Sequence, residues 1–243
     1  MDLDHKPIVV LEQISKSYAM GEVTVDALKG ISIELAAGDF ISVAGPSGSG
    51  KTTLMNIIGL IDKPTSGSLY MGGQKAENLG RRELTRLRRE FIGFVFQSFN
   101  LLPVLSVFEN IELPLLIGEN SGISGKQGKK LSRKERKERV EYFLEEVGLS
   151  DRRNHKPSEL SGGQQQRAAI ARAMVTKPRL VIADEPTANL DSANGGRILE
   201  LMKKVNREEG TTFLFSTHDP EIWNMADHIL FLRDGELESE QKK

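Results

Sequence analysis

Gly45-Pro46-Ser47-Gly48-Ser49-Gly50-Lys51-Thr52-Thr53 leaves this chain few folds to choose from. The run before it, Asp39-Phe40-Ile41-Ser42-Val43-Ala44, alternates like a strand, and Leu54-Met55-Asn56-Ile57-Ile58 after it reads as a helix. Strand, glycine-rich turn, helix is the order a phosphate-binding loop requires. Glycines let successive backbone N–H groups converge on one cluster of oxygens. The helix start adds unpaired N–H groups and partial positive charge. In that setting Lys51 reaches the β- and γ-phosphates, and the Thr52 hydroxyl ligates Mg²⁺.

Composition limits what surrounds the loop. At 243 residues the chain has room for a substantial core. Its 33 basic and 34 acidic side chains give a net charge of −1, so no overall pull toward nucleic acid or lipid headgroups is expected. With no cysteine, disulfides and thiolate metal sites are excluded. The first seven residues are polar and acidic rather than signal-like, and the most apolar stretch, 99 to 118, is interrupted well short of the ~18 residues of a membrane span. A soluble, cytoplasmic protein is the expectation.

Along the chain, residues 8 to 38 read as strands: 8–11, 14–18, 23–25 and 31–35, with a turn at Met20-Gly21. Tyr18 either packs on the core or offers a flat face to a purine ring. A turn at 63–67 leads to a strand at 68–71, and Gly72-Gly73 suggests a hairpin. Residues 83 to 90 read as a charged helix with a solvated face. Phe91 to Phe96 is a continuous apolar run, expected as a strand buried on both faces. It ends in Gln97, at the kind of strand end where open α/β sheets bind ligands, although a glutamine there also reads as a plain loop residue.

From Ser106 to Val175 the strand signal stops. Helices at 107–116, 133–147 and 164–175 form an insertion. Residues 126 to 139 carry eight basic and two acidic side chains after the Gly/Ser-rich 120–125, which reads as a flexible loop and an exposed helix. Ser161 and Gln164 make a capping box. Gly162 and Gly163 weaken that first turn but leave its amides uncovered, which suits either an anion or a simple cap. The strand 179–183 ends in Asp184-Glu185, two carboxylates that repel unless compensated. Beside a phosphate loop, Asp184 can hold Mg²⁺ directly or through water, and Glu185 can orient and deprotonate a water. Asp191 can cap a helix running from about 192 to 208. A strand at 211–216 is followed by His218, the third polar group set just after a buried strand, which favours a role at the phosphate. Asp234-Gly235 reads as a two-residue hairpin, and the charged tail from Glu238 is expected to fray.

In this order, Tyr18, loop 45–53, Gln97, Leu160-Ser161-Gly162-Gly163-Gln164, Asp184-Glu185, Asn189-Leu190-Asp191 and His218 resemble an ATP-binding cassette (ABC) transporter ATPase over about residues 8 to 237. Narrower markers at 88–97 and 99–103, with Tyr18-Ala19-Met20-Gly21 and Ala27-Leu28-Lys29-Gly30, resemble the lipoprotein-release and macrolide-export subfamily. Two departures from that subfamily are Ala188 in place of glycine and a longer loop at 121–130. The resemblance implies an α/β fold: a P-loop NTPase core on a mixed, mainly parallel sheet, an N-terminal antiparallel β subdomain (together 8–97 and 176–237), and an inserted α-helical subdomain (about 98–175).

It further implies ATP and Mg²⁺, and a head-to-tail homodimer with two ATP molecules in its interface. Each nucleotide lies between Tyr18 and Gly45, Pro46, Ser47, Gly48, Ser49, Gly50, Lys51, Thr52 and Thr53 of one subunit and Ser161, Gly162, Gly163 and Gln164 of the other. Asp191 joins them at the nucleotide. The implied catalytic residues are Glu185 as general base, Lys51 and His218 at the γ-phosphate, and Gln97 at metal and water; the metal lies among Thr52, Gln97 and Asp184. A membrane permease docking near Phe99 to Leu105 is implied, with the ATPase peripheral on the inner face of the cell membrane, driving export or lipoprotein release. The alternative is a soluble ABC-type ATPase without a membrane partner, but the tandem cassettes or long coiled coil usual there are absent. A kinase or GTPase leaves residues 160 to 164 unexplained, and the guanine-specific Asn-Lys-x-Asp is missing.

Overall fold

A computed structural model describes residues 7–21, 23–120, 131–188, 190–217, 223 and 225–243. Strands β1 (Pro7–Met20) and β2 (Val23–Ala36) form a long antiparallel hairpin. With β4 (Ser66–Met71) and the short β5 (Gln74–Lys75) they make a four-stranded antiparallel sheet, ordered β2-β1-β4-β5. A second sheet of six strands runs β10-β9-β3-β8-β7-β6. Its members are β3 (Phe40–Ala44), β6 (Ile92–Val95), β7 (Leu180–Asp184), β8 (Thr212–Ser216), β9 (His228–Arg233) and β10 (Glu236–Lys242). All pairings in it are parallel except β9 with β10.

The helices are α1 (Lys51–Ile58), α2 (Arg81–Phe91), α3 (Val107–Asn120), α4 (Arg133–Glu146), α5 (Gly162–Met174) and α6 (Ser192–Glu209). Between β6 and β7 the described residues hold α3, α4 and α5 and no strand, as the loss of alternation predicts.

The parallel sheet is buried on both faces, and its period-two alternation feeds two separate cores. Phe40, Val181, Ala183, Phe213 and Phe215 face one core, shared with α3 to α6. Ile41, Val43, Leu180, Ile182 and Leu214 face the other, shared with α1 and the antiparallel sheet. The sheet's C-terminal edge therefore opens between the two cores.

Three expectations need correction. The strands 8–11 and 14–18 are one strand, and so are 23–25 and 31–35. The break is a bulge at Gln13, whose backbone sits at φ 51° and whose N–H goes to Ser32 Oγ at 2.9 Å. Phe91 is the last residue of α2 rather than the first of a strand, because the Ile92 N–H still bonds to Arg88 O. The tail does not fray at 238. Asp234 and Gly235, both at positive φ, turn the chain tightly, and β10 pairs with β9 as far as Lys242↔His228. Most of its residues are exposed while its backbone pairs with β9 along one edge, and Glu240 lies 2.8 Å from Nε2 of the buried His228.

Candidate nucleotide-binding site

The loop at 45–50 is shaped by what stands behind it. A Cβ on Gly45 would lie 2.1 Å from Leu232 O, and one on Gly50 would lie 2.5 Å from Ala27 O. Both glycines also have left-handed φ, 142° and 100°, so no other residue fits either position. The β9–β10 turn braces the loop through Gly235 N–H to Ser49 O, 3.1 Å. Pro46, Ser47 and Gly48 are exposed, whereas Ser49 is buried with its hydroxyl unpartnered. Gly50 caps α1 without a side chain, and no acidic residue sits in the first turn, so the amides at Lys51, Thr52 and Thr53 keep their positive field. The Lys51 ammonium folds back across the loop and donates to the carbonyl oxygens of Gly45 and Pro46, 2.8 Å each.

Strand register brings the next groups alongside. In β8, Ser216 pairs with Val43 of β3 on one side and with Asp184 of β7 on the other. Asp184 thus ends its strand one strand removed from the loop, within reach of α1. Thr52 Oγ1 donates to Asp184 Oδ2 at 3.1 Å, and Ser216 Oγ donates to Asp184 Oδ1 at 2.5 Å. Glu185 follows at φ 49°, its N–H bonded to Ser216 Oγ at 3.0 Å. Gln97 is exposed and lines a cavity of about 220 Å³ together with Thr52, Asn56, Phe96 and Asp184. Lys51, Thr52, Gln97, Asp184 and Glu185 are therefore gathered at one sheet edge. His218 lies outside the described residues.

Ser161 to Gln164 are not among the residues lining this cavity. They form the expected capping box: Ser161 N–H donates to Gln164 Oε1 at 2.9 Å, and Gln164 N–H donates to Ser161 Oγ at 3.3 Å. Ser161 and Gly162 are exposed, so the remaining amides of this helix start face outward. Asp191 caps α6, accepting from Asn194 N–H at 2.9 Å, and this bond holds its carboxyl below the usual aspartate range.

Tyr18 is on the surface, which removes the core alternative. Its hydroxyl donates to Asp62 Oδ2 at 2.8 Å, and Lys16 donates to Asp62 Oδ1 at 2.8 Å while standing 4.8 Å from the ring centroid. Partial burial raises the Tyr18 phenol, and the bond to Asp62 adds to that. Burial pushes Asp62 the other way from its net shift, but the bonds from Lys16, Tyr18 and the Lys63 N–H outweigh it and lower its pKa.

Sequence reasoning missed several residues that hold the site. Ser216 reads only as the end of an apolar strand. Arg172 of α5 donates to Phe99 O at 2.8 Å and to Asn100 O at 2.5 Å, clasping two consecutive residues at positive φ. The buried Asn110 side chain binds the carbonyls of Leu102, Leu105 and Ser106 and the N–H of Leu102. Gln166, fully buried, donates to Pro186 O just after Glu185, at 2.9 Å. A polar residue at a helix-core position was the available signal for Asn110 and Gln166; nothing local marks the other two.

The sequence profile described as ABC transporter matches residues 28–188. The ABC transporter ATP-binding protein MJ0796 of Methanocaldococcus jannaschii is 46% identical over 236 residues, covering 97% of each chain. A macrolide export ATP-binding/permease protein, MacB of Bdellovibrio bacteriovorus, is 44% identical over 235 residues, 97% of this chain but 34% of that one. Among solved structures, a dimeric post-hydrolysis state of the MJ0796 cassette bound to ADP and Pi superposes with a TM-score of 0.88 at 46% identity, covering 96% of this chain and 98% of that one. With its loop, carboxylate pair and helix start arranged as described, the chain belongs to the ABC transporter family of ATP-binding cassettes.

Proposed function

We propose that this chain binds ATP with Mg²⁺ and hydrolyses it to ADP and phosphate, as the motor subunit of a transporter or membrane-remodelling complex. The observation that carries the proposal is the meeting, at one sheet edge, of the Lys51 ammonium and an uncapped helix start with the Thr52–Asp184 pair. A triphosphate fits the loop. Lys51 rests on neutral carbonyls that a phosphate oxygen would outcompete, and the buried Ser49 hydroxyl lacks a partner. Mg²⁺ fits the oxygen donors Thr52 Oγ1 and Asp184, with the Gln97 amide beside them, since this ion takes one or two carboxylates plus substrate phosphates. Bound there, it neutralises charge on the phosphate oxygens.

The protein's share of the work is positional and electrostatic. Lys51 and the backbone N–H groups of the loop, Pro46 having none, hold the γ-phosphate, Gln97 orients water, and Glu185 accepts that water's proton as the water oxygen attacks phosphorus and the bond to ADP breaks. His218 is assigned to the γ-phosphate by family resemblance. Tyr18, exposed and pinned by Asp62, offers its ring to the purine. Ser161, Gly162, Gly163 and Gln164 would close on the nucleotide from a second copy, with Asp191 close by; their outward-facing amides and the dimeric cassette of the MJ0796 relative support this.

The division into a core with its β subdomain (8–97 and 176–237) and a helical subdomain (about 98–175) follows the same reading. A permease is the partner favoured by the apolar loop after Gln97, where Leu102 is 43% and Val104 74% exposed, and by the ATP-binding/permease relative. That partner would hold the chain on the cytoplasmic face of the membrane and set its export or lipoprotein-release role. No helix of the described residues is long and apolar enough to cross a membrane.

Replacing Lys51 tests the nucleotide site. By calorimetry, Lys51→Ala is expected to weaken ATP binding at least about tenfold, the loss of a charge-assisted bond to phosphate. Unchanged affinity would contradict the assignment of the loop.

A further inference from the structure

Ser216 makes two bonds whose directions chemistry fixes. A backbone N–H can only donate and an ionised carboxylate can only accept. The Glu185 N–H therefore donates to Ser216 Oγ (3.0 Å), and the single hydroxyl proton of Ser216 goes to Asp184 Oδ1 (2.5 Å). Ser216 has no exposed surface, so water does not compete for either bond. The two oxygens of Asp184 are thus employed differently. Oδ1 is committed to the buried serine, while Oδ2 turns to Thr52 in the cavity that Gln97 also lines. Glu185, at φ 49°, occupies backbone space that a non-glycine residue leaves readily unless something holds it. The bond to Ser216 restrains its N–H side, and the Ala188 N–H donates to its carbonyl oxygen at 3.2 Å.

We propose that Ser216 is a positioning residue for ATP hydrolysis: it commits Asp184 to present Oδ2 alone to Mg²⁺, and it pins the peptide from which the Glu185 carboxylate projects. The proposal rests on the roles of Asp184 and Glu185 given above. It assigns to the middle strand, between the loop-bearing β3 and the carboxylate-bearing β7, the task of aligning metal and base through one hydroxyl.

The test measures metal linkage as well as turnover. Ser216→Ala, Ser216→Thr, Asp184→Asn and Glu185→Gln are compared with the unaltered protein. Calorimetry gives the affinity for a non-hydrolysable ATP analogue in EDTA and in Mg²⁺, and phosphate release gives kcat. Ser216→Ala is expected to keep the affinity in EDTA, to lose about tenfold of the gain that Mg²⁺ confers, and to lose at least about tenfold in kcat, as for one bond to a charged group. Ser216→Thr, which keeps the hydroxyl, is expected to recover most of both. If Ser216→Ala matches the unaltered protein in both readouts while Asp184→Asn loses the Mg²⁺ gain, the proposal is overturned and the site stands. Equal loss in the Ala and Thr variants, both folded by circular dichroism, also overturns it. Should Asp184→Asn keep the Mg²⁺ gain and Glu185→Gln turn over normally, the roles of the two carboxylates fail, and the proposal with them.

Discussion

Tyr18 shows how single side chains prepare this surface before any ligand arrives. Its ring stays at the surface because Asp62 takes its hydroxyl, and Lys16 ties the same carboxylate from the other side. Both shifts keep the anchor intact near neutrality. The phenol is raised, so it stays protonated, and Asp62 is lowered from 3.8, so it stays charged. A carboxylate whose folded pKa is depressed contributes fully above its unfolded value and loses that contribution as pH falls through the folded one. The anchor is therefore constant from about pH 5 through neutrality and weakens in stronger acid. Tyr18→Ala is expected to weaken ATP binding by about 1 kcal/mol, roughly fivefold in Kd, for one lost stack. Titration calorimetry reads this directly, and an unchanged Kd would deny the ring its place against the purine.

At the scale of elements, α5 links three parts of the site. It opens at Ser161, bonds through Gln166 to Pro186 beside the carboxylate pair, and bonds through Arg172 to the segment after Gln97. The helix whose start is proposed to meet a second copy's nucleotide is thus bonded, through its last turn, to the segment after Gln97, which runs on into the apolar loop of Leu102 and Val104. Helix α4 opens on a cap of its own, with Ser132 N–H donating to Glu135 Oε2 at 2.6 Å and Ser132 Oγ accepting from Glu135 N–H at 3.2 Å. Ser132→Ala is expected to cost about 1 kcal/mol of stability, lowering Tm by about 2–4 °C, and to leave ATP hydrolysis unchanged. A drop in activity at equal stability would give α4 a part in the reaction.

Much of this scale was legible in the chain. The loop, the capping box at 161, the cap at Asp191 and the paired carboxylates all announce themselves through spacings of one to four residues. The misses are of another kind. The bulge at Gln13 looked like a strand boundary because a bulge breaks the period-two pattern without ending the strand. Phe91 looked like strand because an apolar residue ending a helix and one opening a strand are the same letter. The tail looked frayed because an edge strand needs only backbone pairing, which side chains do not advertise. Ser216 and Arg172 act across strand register and between elements far apart in sequence, so no local pattern contains them.

At the scale of the whole molecule, two helix starts among the described residues are proposed to receive phosphate. One, at Lys51, is complete with lysine, hydroxyl and carboxylate; the other, at Gly162, carries only its cap and outward-facing amides. Two copies facing head to tail would supply each nucleotide with one of each kind, and ATP would draw them together. Glu185→Gln is expected to keep the fold and the phosphate contacts while removing the proposed base, so that the nucleotide closing the dimer would stay in it. Gel filtration with light scattering, with ATP and Mg²⁺ and with EDTA, measures this directly. The expected result is a monomer in EDTA and a dimer with ATP that persists for the length of the run. A Glu185→Gln protein that binds ATP yet stays monomeric, or that releases phosphate at the unaltered rate, would contradict it.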